Sequence, residues 1–166
     1  MNLLLVVIYR PPLCPTEKFE SAISEIREKI TNHETPTPTI LMFGDYNFPF
    51  LSYKAYGKYT YVVSCSGGTK EDRQQVKILQ SLTDDLALTQ EITEATRGEN
   101  ILDLLFTNNK NVLTDIKITP TIFSDHKVIE VNTNIRNSKI QREPRTITPN
   151  SFENFNFLDK RPTGKI

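Results

Sequence analysis

Thr39-Ile40-Leu41-Met42-Phe43-Gly44-Asp45-Tyr46-Asn47 is a short apolar run stopped by a glycine, with an acid and an amide just beyond the stop. Such a run reads as a buried strand that ends where Gly44 lets the backbone turn. Upstream, Leu3 to Ile8 is a second unbroken apolar run, closed by Tyr9-Arg10-Pro11-Pro12, and it suits a strand buried on both faces. Between the two, Phe19, Ala22, Ile23, Ile26 and Ile30 share one face of an amphipathic helix, with Glu and Lys/Arg opposite. Thr16 is placed to cap that helix, and Thr35-Pro36-Thr37-Pro38 to end it. Strand, helix, strand implies a crossover between two parallel strands.

Downstream, residues 48–69 are rich in Pro, Gly, Ser and aromatic residues without a sustained period, and read as a long loop with a short strand at 59–64. Val76, Leu79 and Leu82 line a second helix from Lys70 to Leu82, and Leu86-Ala87-Leu88 reads as a short strand. Three further strands are predicted at Ile101 to Thr107, Asn111 to Thr119 and Lys127 to Ile135. The first two form a hairpin through Asn108-Asn109-Lys110-Asn111. Beyond Arg136 the chain becomes polar and basic and reads as a tail or linker, so the expected organisation is a domain over 1–135 and a tail over 136–166.

The chain has 166 residues and 37% hydrophobic content, enough for one domain with a sizeable core. Its net charge is zero, but residues 1–135 carry 13 Lys/Arg against 17 Asp/Glu and residues 136–166 carry 7 against 3. The body therefore lacks the basic excess of a protein that holds nucleic acid mainly by neutralising phosphates. The opening apolar run has neither a basic leader region nor a small-residue cleavage site, and no stretch is long enough to span a bilayer. Cys14 and Cys65 lack metal-ligand spacing, and a reducing intracellular compartment is expected.

Four constellations carry potential chemistry. Asp45 and Asn47, two residues apart at a strand exit, can bind a hard cation or take a proton from water and donate to a phosphate oxygen; Gly-Asp-x-Asn equally describes a plain turn. Ser124-Asp125-His126 precedes an apolar strand and offers a metal ligand and an imidazole, with a turn as the other reading. Asp103 interrupts the apolar stretch Ile101 to Phe106, and a carboxylate buried there needs a partner such as His126, an arginine or a metal. Tyr9 and Arg10, at the end of the first strand, can both contact a phosphate, although a strand-end tyrosine often only anchors its ring.

Taken in order, Tyr-Arg-Pro-Pro, Gly-Asp-Tyr-Asn, Ala-Thr-Arg-Gly-x-Asn-x-Leu-Asp-Leu-Leu-Phe-Thr and Ser-Asp-His resemble the endonuclease/exonuclease/phosphatase superfamily over residues 3–131. The variants look most like the endonuclease domains of non-LTR, LINE-type retrotransposons. The resemblance implies an α+β fold, part of a four-layered α/β/β/α sandwich of the DNase I-like kind, with a site at the strand ends. It implies Mg²⁺- or Mn²⁺-dependent hydrolysis of DNA, with no other small-molecule cofactor. Carried over, Asp45 orients or activates water, Asn47 holds the phosphate or the metal shell, and His126 binds the scissile phosphate with Asp103 behind it. Tyr9 meets the phosphate or the leaving oxygen, Asp125 and Asp45 hold metal, and Arg10, Arg97 and Asn100 bind substrate. The partner implied is DNA and not a membrane, and the compartment is the nucleus.

The family domain also has an N-terminal half that supplies an Asn and a metal-binding Glu, and this sequence starts at the middle strand. The expectation is that this half of the fold is missing, that activity is impaired, and that the exposed sheet face invites self-association. An inert remnant or binding fragment of that domain, and a phosphatase acting on a lipid or small-molecule phosphoester, are the alternatives.

Overall fold

A computed structural model describes residues 2–32, 38–56, 59–65 and 67–135. The tail over 136–166 and the helix stop at Thr35 to Thr37 lie outside the described residues. The elements run β1 (Leu3–Tyr9), α1 (Thr16–Thr31), β2 (Thr39–Asp45), β3 (Leu51–Tyr56), β4 (Tyr59–Cys65), α2 (Lys70–Asp85), β5 (Thr89–Gln90), β6 (Asp103–Thr107), a short 3₁₀ helix at Lys110–Val112, β7 (Leu113–Thr119) and β8 (Val128–Thr133). The fold is mixed α+β, compatible with part of a DNase I-like sandwich.

β1, β2, β6 and β5 form one sheet in that order, with β1 parallel to β2 and the other pairs antiparallel. The crossover expected from the first 43 residues is present. β3 pairs with β4, and β7 with β8, as separate two-stranded sheets. Both helices belong to one core: Phe19, Ile23 and Ile30 of α1 and Val76, Leu79 and Leu82 of α2 cluster with Ile40, Met42, Leu104 and Phe106 of the sheet. This is the payoff of helical spacing on one side and period-two alternation on the other.

The sheet's other face carries Leu5, Leu41, Phe43 and Leu105, and with Ile129 and Val131 of β8 these line a cleft of about 420 Å³. β1 is thus not buried on both faces. Leu5 is 56% exposed and Val7 70%, because β1 is an edge strand whose alternate residues face away from the helices. A continuous apolar run says that both faces tolerate burial, not that both are covered.

Four local expectations are corrected. Thr16 does not cap α1: Pro15 holds the cap position, and the buried Thr16 hydroxyl instead accepts from Gln75 Nε2 at 3.2 Å. The segment 48–69 is a β-hairpin, with β3 as well as the strand foreseen at 59–64. Leu86-Ala87-Leu88 is the helix exit and not a strand, since Ala87 takes φ 49° and the pairing begins at Thr89. β6 and β7 make no hairpin, because both edges of β6 are already taken by β2 and β5. Asn108 pins the departing chain to β2 instead, accepting from Ile40 N–H at 2.9 Å and donating to the Pro38 carbonyl at 3.0 Å.

One glycine fixes the geometry beneath the site. Gly44 has φ +147°, and a Cβ there would stand 1.8 Å from the Ile8 carbonyl oxygen of β1. Only a residue without a side chain lets the two parallel backbones meet on the rung before Asp45. Gly44→Ala is expected to destabilise the fold by roughly 3 kcal/mol, read as a lower urea midpoint with unchanged slope.

Candidate active site

The last rung shared by β2 and β6 places Asp45 opposite Asp103. Side chains opposed in an antiparallel pair share a face, and like charges so placed repel. Each carboxylate has its own compensation. Asp45 Oδ1 accepts from Asn47 N–H at 3.0 Å and Oδ2 from Asn47 Nδ2 at 2.8 Å. Asp103 Oδ2 lies 2.8 Å from His126 Nδ1, so the interrupted apolar strand has the histidine its acid needs. With Asp103 ionised, Nδ1 carries the proton and Nε2 is left for another ligand.

Asn47 suits its position twice over. Its φ of 48° is one that asparagine tolerates better than most side chains, and its amide also donates to the Arg10 carbonyl at 2.9 Å. Tyr9 is the β1 partner of Asp45 in the parallel register, and its side chain is 68% exposed at the same sheet end.

Arg97 and Asn100 flank a two-residue turn, Gly98-Glu99, closed by Arg97 N–H to the Asn100 carbonyl at 3.1 Å and Asn100 N–H to the Arg97 carbonyl at 2.9 Å. Gly98 supplies the positive φ of 54°. Both residues border an open cleft of about 490 Å³ shared with Pro12, Asn47 and Pro49. Arg97 Nε and Nη2 each reach Asp125 Oδ2 at 2.6 Å. The Arg97 guanidinium holds the Asp125 carboxyl below the usual carboxylate range by hydrogen bonding first and by its charge second. Asp125 is therefore placed on Arg97 and apart from the group formed by Asp45, Asp103 and His126.

Arg10 is not presented to the cleft. It is 2% exposed, donates from Nε to Gln75 Oε1 and from Nη2 to Asp72 Oδ1, both at 2.6 Å, and stacks 3.9 Å above the Phe48 ring. Its expected contact with substrate gives way to internal bonding, because α2 supplies a carboxylate and an amide where a phosphate was expected.

Sequence reasoning left four contributors unassigned. Thr96, fully buried, accepts the N–H groups of Leu102 and Asp103 on Oγ1 at 3.0 and 3.1 Å, while its carbonyl takes Lys127 N–H at 2.7 Å. It thereby ties the start of β6 to the His126 loop. Ser124 Oγ accepts His126 N–H at 3.0 Å, a turn signal visible in Ser-x-His. Asp72 sits in a Thr69-x-x-Asp72 capping box, also visible beforehand. Gln75 carried no signal.

Residues 3–130 match the family model described as endonuclease-reverse transcriptase. The chain belongs to that family. It is an endonuclease-like nuclease domain of the retrotransposon type. No curated protein matches it. The family match spans β1 through the first half of β8 and so includes every residue of the site.

This endonuclease-reverse transcriptase family is generally metal-dependent, and the residues present fit a divalent cation. One ligand atom each from Asp45, Asp103 and His126 lies within 4.8 Å of the others, and all three side chains are half-buried. Two carboxylates of like charge converging on one point are a donor set that a hard cation satisfies. Among the described residues no helix is long and apolar enough to cross a membrane.

Asp72 gives the scaffold a pH dependence. Burial pushes its carboxyl up, but hydrogen bonds from Thr69 and Arg10, with the Arg10 charge, outweigh this and hold it below its ordinary value of 3.8. A carboxyl depressed by folding adds stability that is full above its ordinary pKa and is lost as pH falls through the folded one. Asp72→Asn should therefore lower the urea midpoint clearly at pH 6, and the gap to wild type should close as the pH falls below the ordinary carboxyl value of 3.8.

Proposed function

We propose that this domain hydrolyses DNA phosphodiesters with Mg²⁺ or Mn²⁺, and that residues 1–135 are its catalytic unit. The convergence of Asp45, Asp103 and His126 on one point at the strand ends carries the reading. Asp45, Asp103 and, by movement off Arg97, Asp125 are the carboxylates available to hold the cation. The bound cation would neutralise charge gathering on the phosphoryl oxygens. Asn47, which bonds Asp45, also lines an open cleft with Arg97 and Asn100, and that suits a polymeric phosphodiester more than a small enclosed ligand.

The chain's own groups divide the rest. An Asp45 oxygen takes the proton of the attacking water as its oxygen bonds to phosphorus, and Asn47 keeps that carboxylate turned toward the site. His126 turns Nε2 toward a non-bridging oxygen, its ring oriented by the Asp103 carboxylate at Nδ1. The Tyr9 hydroxyl, at the neighbouring strand end, stabilises the leaving oxygen as the P–O bond breaks. Asn100 and Arg97 line the side of the cleft where flanking nucleotides lie. The family resemblance supports the nucleus as the place where the domain acts.

Supercoiled plasmid gives the test. Nicking is expected with Mg²⁺ or Mn²⁺ and not with EDTA, falling at least 100-fold in Asp45→Ala and in His126→Ala, each checked to melt cooperatively. Nicking that survives Asp45→Ala unchanged would overturn the reading.

A further inference from the structure

The first turns of α2 touch no residue of the Asp45, Asp103 and His126 cluster, yet every step from one to the other is a short bond. Asp72 divides its two oxygens. Oδ2 accepts Thr69 N–H at 3.0 Å in the helix cap, which leaves Oδ1 aimed at Arg10 Nη2 at 2.6 Å. Gln75, fully buried, fixes the other side of the fork by accepting Arg10 Nε at 2.6 Å while its amide donates to the Cys14 carbonyl at 2.8 Å.

Arg10 then grips the catalytic turn at several points. Its Nη1 donates to the Asn47 carbonyl at 2.9 Å and to that of Tyr46 at 3.4 Å. Its own N–H donates to the Asp45 carbonyl at 2.8 Å, and its carbonyl accepts Asn47 Nδ2 at 2.9 Å. The same Nδ2 donates to Asp45 Oδ2 at 2.8 Å. The path is thus Asp72 and Gln75, Arg10, Asn47, Asp45, with a charged, buried guanidinium in the middle. A guanidinium fork is rigid and planar, so its direction is set by the acceptors on α2.

We infer that Asp72 and Gln75 are positioning residues for the site: through Arg10 they hold Asn47, and through Asn47 the Asp45 carboxylate, in working orientation. Gln75 is buried away from substrate, whereas Asp72 also borders the cleft of Arg97 and Asn100, with its Oδ1 taken by Arg10. The inference rests on the functional reading above only for its catalytic consequence; the positioning itself is a property of the folded chain. Partners that orient a ligating or catalytic carboxylate commonly matter about as much as tenfold to a hundredfold in activity when removed.

The experiment uses the full chain in two variants, Asp72→Asn and Arg10→Lys, with half-buried Arg27→Ala as a control that breaks a helix–helix ion pair to Asp85 and a hydrogen bond to Ser81 without touching the Arg10 network. The first readout is the ¹H–¹⁵N signal of the Asn47 side-chain amide. It is expected to shift and broaden in both variants and to stay in place in the control. The second is nicking kinetics, with kcat expected to fall roughly tenfold and KM to change little. The third is a double-mutant cycle, in which the kcat loss of Asp72→Asn should vanish in an Asn47→Ala background. A merely structural role would give additive losses and an unmoved amide signal, and either result would overturn the inference. A wild-type chain that nicks nothing would sink the functional reading alone, and the amide signal would still decide the positioning.

Discussion

Two carboxylates share one rung of the sheet, and the rest of the site follows from keeping them there. Asp45 and Asp103 are direct partners across β2 and β6, an arrangement that strand pairing disfavours for like charges. The structure does not separate them. It gives each a different neighbour, amide donors from Asn47 for one and the imidazole of His126 for the other. The two acids consequently stand in different electrostatic settings while their outer oxygens still converge. A site that opposes its own charges is one in which a cation has most to contribute.

The scaffold around that rung has few degrees of freedom. Gly44 allows β1 and β2 to close up just before it, Arg10 clamps the turn just after it, and Thr96 ties Asp103 to the loop that brings in His126. These devices come from three separate parts of the chain, and Arg10 and Thr96 are buried. Such convergence of fully bonded polar groups specifies one arrangement where apolar packing alone would accept several. The helices fill one face of the sheet. The opposite face, with Leu5, Val7 and Phe43 exposed, stays largely apolar.

Much of this was legible in the residues. Apolar runs at 3–9 and 39–43 around a helical period sufficed for the parallel pair, and an acid inside the run at 101–106 called for a histidine, an arginine or a metal, of which the structure supplies His126. What periodicity could not show is pairing between distant strands. β6 was assigned to β7 on proximity in sequence, while its true neighbours are β2 and β5, and β1 looked buried on both faces because apolar residues do not record what covers them. The environment of Arg10 was invisible for a related reason. A guanidinium beside two prolines reads as a surface group until a helix 60 residues later presents Asp72 and Gln75 to it. The family motifs supplied the candidate residues; only the fold distinguishes those facing the cleft from those behind it.

The central claim is that the opposed pair of Asp45 and Asp103 forms a cation site. Thermal unfolding of the wild-type chain and of Asp45→Asn across a Mn²⁺ series tests it most directly, since a cation that binds only the folded state raises its midpoint with concentration. The account predicts a midpoint that climbs with Mn²⁺ in the wild type and stays flat in Asp45→Asn. Equal dependence in the two proteins, or none in the wild type, would contradict it.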